Sequence, residues 1–157
     1  MTRVFFRFLK FCLSTGILFT VAYGSCFARL TRTEQSMRNQ GLIDVQSLDS
    51  TIRVSLMYGR PDNFTGKVLY TDLHHAYLHP KAARALAQAQ RNLKKKFPRL
   101  SLIVFDATRP MRVQQIMWDV VKNSSKCIYV SNPANGGGLH NYGLAVDEIG
   151  RASCRGR

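Results

Sequence analysis

The sequence predicts an α+β domain, a mainly antiparallel sheet covered by helices on one side. Three observations predict it. Two stretches carry apolar residues at helical spacing, one stretch is a continuous apolar run of strand length, and these elements follow one another as strand, helix, strand, helix, strand and hairpin. A chain of 157 residues with 45% hydrophobic residues fits one domain and can bury a real core.

The elements follow in order. "RTEQSMRNQGLIDV" predicts a short helix ended by Gly41. "STIRVSLMYG" places Ile52, Val54 and Leu56 on one face and predicts a strand. "RPDNFTGKVLY" is loop-like, with Pro61, Asp62, Asn63 and Gly66 as turn residues. "HPKAARALAQAQRNLKKKF" is the strongest helix signal. Pro80 suits its first turn, Ala83, Leu86, Ala87, Gln90, Leu93 and Phe97 form its apolar stripe, and the lysines sit at the negative end of its dipole. "LSLIVFDA" predicts a buried strand. "MRVQQIMWDVVKN" predicts a second amphipathic helix with Val113, Ile116, Met117 and Val120 inward and Trp118 in the core, and "KCIYVSNP" a further strand.

The first 28 residues stand apart. "MTRVFFRFLK" is basic and acid-free, and the apolar run behind it is short for a bilayer span. The segment predicts a signal peptide cut after Ala28, a lipoprotein leader with a lipidated Cys26, or a retained anchor; Tyr23 fits the lipoprotein pattern poorly. Each version exports the domain to the periplasm or cell envelope and allows membrane attachment through the leader or Cys26.

The formal charge is +14, of which Arg3, Arg7 and Lys10 lie in the leader, leaving +11 on the rest. Such a chain is drawn to acidic polymers, and export argues against nucleic acid as the partner. Cys127 and Cys154 make no disulfide framework, and no C-x-x-C exists for zinc; Cys127 reads as a small core residue.

The chemistry concentrates in "GGGLHNYGLAVDEIG", residues 136–150. His140 and Asp147 are seven positions apart. In one straight strand they would face opposite sides, roughly 23 Å apart. The glycines argue against a helix. A fold-back at Asn141, Tyr142 and Gly143, with Gly143 at positive φ, brings them together on adjacent strands. Imidazole and carboxylate are ordinary zinc ligands, yet a His and an Asp in a glycine-rich hairpin are as a rule surface polar residues.

"HNYGLAVD" matches H-x-x-G-x-A-x-D, the pattern of zinc peptidases that cleave peptidoglycan peptides beside D-alanine. "FDATRP", residues 105–110, looks like the arginine-bearing segment of D-alanyl-D-alanine dipeptidases, and "NFTG", residues 63–66, matches a third stretch in the right order. Over residues 42–147 the chain resembles the D-alanyl-D-alanine dipeptidase (VanX-type) branch of peptidase family M15. The resemblance implies one Zn2+ held by His140 and Asp147, Arg109 as the catalytic arginine, and D-Ala-D-Ala or related wall peptides as substrate; it leaves the substrate-binding residues unknown. A fixed guanidinium suits an oxyanion formed at the carbonyl. The plain alternative for Arg109 is a structural pair with Asp106.

The resembled family also carries a later E-x-x-H, whose Glu is the general base and whose His is the third ligand. No such motif follows Asp147. His75 and His79 have i, i+4 spacing, which suits a metal on a helix, but Pro80 weighs against a helix there. His74, His75 and His79 are therefore expected to line a loop or the surface. Glu148, next to Asp147, is expected to point away from the site.

The expectation is residues 29–147 as the N-terminal part of a zinc dipeptidase domain, incomplete at its C-terminus, with 148–157 a non-native tail and this chain weakly active or inactive. Two alternatives stand beside it. One is a D,D-carboxypeptidase or endopeptidase of the same zinc group. The other is a non-catalytic basic protein that binds anionic envelope polymer.

Overall fold

The computed structural model describes residues 29–152, and for Arg151 and Ala152 the backbone only. The leader with Cys26, and the last residues with Cys154, lie outside the described residues. The architecture is α+β, with two small sheets flanked by helices.

Helix α1, Arg32–Asn39, begins in a capping box: Thr31 accepts from the Glu34 N–H and Glu34 accepts from the Thr31 N–H. It ends before Gly41, whose φ of 80° lets the chain turn away. Strand β1, Ile43–Asp44, leads into the single-turn helix α2, Val45–Leu48. Strand β2 is only Arg53–Val54, shorter than the alternation of Ile52, Val54 and Leu56 suggests, because Leu56 already caps a 3-10 turn at Met57–Gly59. Strand β3, Tyr77–Leu78, pairs antiparallel with β1.

Helix α3, Pro80–Lys96, follows the predicted stripe as far as Leu93, with Ala83, Leu86, Ala87 and Gln90 buried and Leu93 partly buried against the core. Phe97 departs from the stripe: it is 54% exposed, because the helix has ended at Lys96. Strand β4, Leu100–Asp106, is the centre of a three-stranded sheet. It pairs parallel with β2 and antiparallel with β5, Asp147–Ala152. Residues 148–152 thus extend the sheet, through backbone pairing that any side chains can make.

Helix α4, Met111–Val121, buries Val113, Gln114, Met117 and Val121. Ile116 and Val120, expected to point inward, are exposed, because the buried face runs 113–114–117–121. Trp118 is half-buried against the core, as expected. "KCIYVSNP" forms no strand. Ser124 caps a 3-10 helix at Ser125–Tyr129, and no neighbouring strand edge takes it up. Cys127 is half-buried against the core.

Two cores result. Val45, Ile52, Leu78, Ala83, Leu86, Leu102 and Val104 pack between α3 and the central sheet. Met37, Tyr58, Tyr70, Tyr77, Val113, Met117 and Val121 pack around α4. The alternation of β3 sends Tyr77 into one core and Leu78 into the other. Between the cores lie the C-terminal end of β4 and the loop from 107 to 110.

Candidate metal centre

His140 sits on a 3-10 turn, Leu139–Tyr142, and not on a strand as the hairpin expectation had it. Gly136, Gly137 and Gly143 all have positive φ, a left-handed conformation that breaks a regular strand. The fold-back itself is where the spacing placed it. Gly143 has φ of 66°, and its N–H bonds the His140 carbonyl. A β-carbon at Gly143 would lie 2.7 Å from Thr108 Oγ1 and 2.8 Å from the His79 nitrogen. Conformation and space both demand glycine.

The turn carries the imidazole back to the head of β5, where Asp147 begins the strand. His140 Nε2 lies 3.4 Å from Asp147 Oδ1. Two ligands about 2.0–2.1 Å from one tetrahedral zinc are separated by about 3.3 Å. The pair therefore has the spacing of two ligands on one ion. The tautomer agrees. His140 Nδ1 is 2.9 Å from the Ala107 carbonyl, which can only accept, so Nδ1 carries the proton and Nε2 offers its lone pair.

Asp106 is the residue that sequence reasoning placed only as a partner for Arg109. It is fully buried and completes a cluster with His140 and Asp147. The ladder explains how. Regular pairing runs from Leu100↔Ala152 to Val104↔Glu148, then shifts so that Asp106 stands opposite Asp147. β4 thus spends two residues where β5 spends one, a bulge that brings Asp106 level with Asp147.

Both oxygens of Asp106 are, however, engaged by other partners. Its Oδ1 accepts from the Tyr70 hydroxyl at 2.6 Å, and its Oδ2 accepts from Arg109 Nε at 3.1 Å and from Nη2. It approaches His140 from the Nδ1 side, at 3.6 Å, where the proton already serves Ala107. Its work is to hold neighbours. Burial and the adjacent Asp106 carboxylate push the Tyr70 phenol far above its ordinary pKa, so it stays a donor.

Arg109 makes the structural pair with Asp106, and its backbone meets the turn that carries His140. Its side chain is 11% exposed, its guanidinium lies over the Tyr58 ring at 5.3 Å, and Nη1 donates to Gln114 Oε1 at 2.9 Å. Burial alone would lower its pKa, but Asp106 outweighs this and raises it, so the cation is secure. Its backbone is tied to the His140 turn in both directions: its N–H donates to the His140 carbonyl at 2.9 Å, and its carbonyl accepts from Asn141 Nδ2 at 3.0 Å.

"NFTG" forms a turn. Asn63 Oδ1 accepts from the N–H and hydroxyl of Thr65, Gly66 has φ of 67°, and the Phe64 ring meets Tyr58 edge-on at 6.3 Å. The motif thereby supports the ring under Arg109. The other histidines stay out of the cluster. His75 bonds Glu34, and His79 caps α3, with β3 between them instead of a helix. Glu148 pairs opposite Val104 and is exposed.

The family model for peptidase family M15, described as D-ala-D-ala dipeptidase, matches residues 38–141, a span that holds Asp106, Arg109 and His140. D-alanyl-D-alanine dipeptidase of Escherichia coli (strain K12) is 28% identical over 106 residues, 68% of this chain and 51% of that protein. The chain spans about half the length of the curated relative it matches.

Proposed function

The chain belongs to peptidase family M15, and from that premise we propose that the protein takes part in zinc-dependent hydrolysis of D-alanyl-D-alanine. The observation that carries the proposal is the 3.4 Å separation of His140 Nε2 and Asp147 Oδ1, with the tautomer set by Ala107.

In this reading His140 and Asp147 hold one Zn2+, which supplies Lewis acidity toward the scissile carbonyl when bound. Ala107 keeps the imidazole lone pair aimed outward. Arg109, charged and held by Asp106 over Tyr58, faces negative charge as it develops on the carbonyl oxygen. Asp106 keeps that cation oriented, and both its oxygens are taken up by Arg109 and Tyr70, so it is not assigned as the base. The 157 residues contain no E-x-x-H, so they are proposed to turn over the dipeptide poorly on their own. Activity, substrate and zinc are thus proposed for the whole protein. The basic, apolar leader supports an exported enzyme working in wall turnover or scavenging, since an exported enzyme is badly placed to deplete a cytoplasmic precursor.

The test uses the protein expressed from its native locus, with release of D-alanine from D-Ala-D-Ala as the readout. Loss of release with a chelator and recovery with Zn2+ supports the reading. Release from a pentapeptide but not from the free dipeptide moves the assignment to the carboxypeptidase or endopeptidase of the same group. Salt-sensitive binding to anionic wall polymer, with no hydrolysis and no response to chelator, replaces it with a non-catalytic envelope protein.

A further inference from the structure

Gln114 is 1% exposed, on the buried face of α4 beside Val113 and Met117. A buried amide costs stability unless both its ends are bonded. Both are. Oε1 accepts from Arg109 Nη1 at 2.9 Å, and Nε2 donates to the Ser131 carbonyl at 2.7 Å. The orientation is unambiguous, because a guanidinium only donates and a carbonyl only accepts.

The Ser131 end leads back to the metal turn. A β-carbon at Gly138 would lie 2.5 Å from Ser131 Oγ, so Ser131 packs directly on the residue that opens the turn bearing His140. Gly138 is fixed in turn by Asn141, whose Oδ1 accepts from its N–H at 2.8 Å. The His140 carbonyl then accepts from the Arg109 N–H. A closed circuit results: Arg109 guanidinium, Gln114, Ser131, Gly138, His140, Arg109 backbone.

We propose that Gln114 is a positioning residue that fixes the Arg109 guanidinium relative to the His140 imidazole, by bridging Arg109 Nη1 to the Ser131 carbonyl. Asp106 alone takes Nε and Nη2, which leaves the guanidinium free to rock about that edge over the Tyr58 ring. Gln114 takes Nη1 and stops the rocking. The remaining N–H groups of Nη1 and Nη2 are then held in one direction. The inference rests on the proposed role of Arg109, but its structural part is measured without turnover.

The experiment follows the side chain of Arg109 by 15N NMR in this chain, together with the Gly138 and His140 amides. In the parent, separate and slowly exchanging Nη resonances are expected. Gln114→Ala should merge the Nη signals, keep the Nε–H that Asp106 holds, and move the Gly138 and His140 amides. If that variant fails to fold, Gln114→Glu decides. It keeps the acceptor for Arg109 and loses the donor to Ser131, so the Nη signals should persist while the Gly138 and His140 amides shift. Unchanged Nη signals in Gln114→Ala, or unmoved turn amides in Gln114→Glu, overturn the brace.

The second arm measures D-Ala-D-Ala hydrolysis by the protein from its native locus. Gln114→Ala should lower kcat roughly tenfold to a hundredfold with KM changed less than about twofold, the pattern of a lost transition-state contact. An unchanged kcat in a variant with merged Nη signals overturns the catalytic part. A parent that does not hydrolyse the dipeptide defeats the proposed function instead, and the NMR result still decides whether the brace exists.

Discussion

As a proposed zinc ligand, Asp147 should separate folding from metal binding. Its side chain is 56% exposed and meets His140 Nε2. Asp147→Ala is expected to change stability by less than about 0.5 kcal/mol, while zinc affinity falls more than about tenfold, since a direct ligand matters at least as much as the partners behind it. Calorimetric zinc titration beside urea unfolding checks this; equal zinc affinity in both proteins removes Asp147 from the site. Glu34 is the opposite case, a carboxylate that matters to folding alone. Its side chain is 2% exposed and accepts from the Thr31, His74 and His75 N–H groups and from His75 Nδ1 at 2.8 Å. Burial pushes its pKa up, but these bonds, with the His75 ring the largest, bring it down to about 2. A carboxylate depressed on folding stabilises fully above its ordinary pKa of 4.5, and that stabilisation is lost as pH falls toward about 2. The loss amounts to about 3 kcal/mol. Glu34→Gln should flatten the fall in unfolding free energy between these pH values; a slope equal to the parent's would refute the assignment.

At the scale of elements, the turn at Leu139–Tyr142 depends on Gly143. Gly143→Ala places a β-carbon against Thr108 and His79 in a left-handed conformation that alone costs about 1–2 kcal/mol. Reduced stability and weakened zinc binding should appear together, because relief of the clash moves His140; thermal melts and zinc titration of the same variant measure both. This fold-back was legible in the sequence, since only a glycine-hinged reversal lets positions seven apart meet. Helix α3 was equally legible, with Pro80 at its start, a regular apolar stripe and lysines at its end. The partners behind the site were less so. Gln114 is polar, so hydropathy does not signal its burial, and the apolar Ile116 and Val120 point to an inward face that the helix does not use. Asp106 was visible as a neighbour of Arg109 but not as a neighbour of His140, because strand pairing and its bulge are long-range facts. The 3-10 helix at Ser125–Tyr129 was misread as a strand because β-branched and aromatic residues signal a strand only when a partner edge exists.

At the scale of the molecule, metal binding and folding should be linked. Zinc that binds the folded chain and not the unfolded one raises stability by about 2.7 kcal/mol when present at a hundred times its dissociation constant. A melting temperature that rises with Zn2+, returns with chelator and does not respond in His140→Ala is the expected result; the same rise in His140→Ala would place the ion elsewhere. The bulge between Val104 and Asp106 carries a consequence of another kind. Side chains in a strand alternate, so the site is indexed by a count of residues as much as by their kinds. Loss of the single codon for Phe105 would make the ladder even and rotate Asp106 to the reverse side of the sheet, stranding a buried Arg109. Phe105→Leu preserves the count and should bind zinc normally, whereas deletion of Phe105 should not. In this strand, arithmetic outranks chemistry, and an in-frame deletion is the more damaging class of mutation.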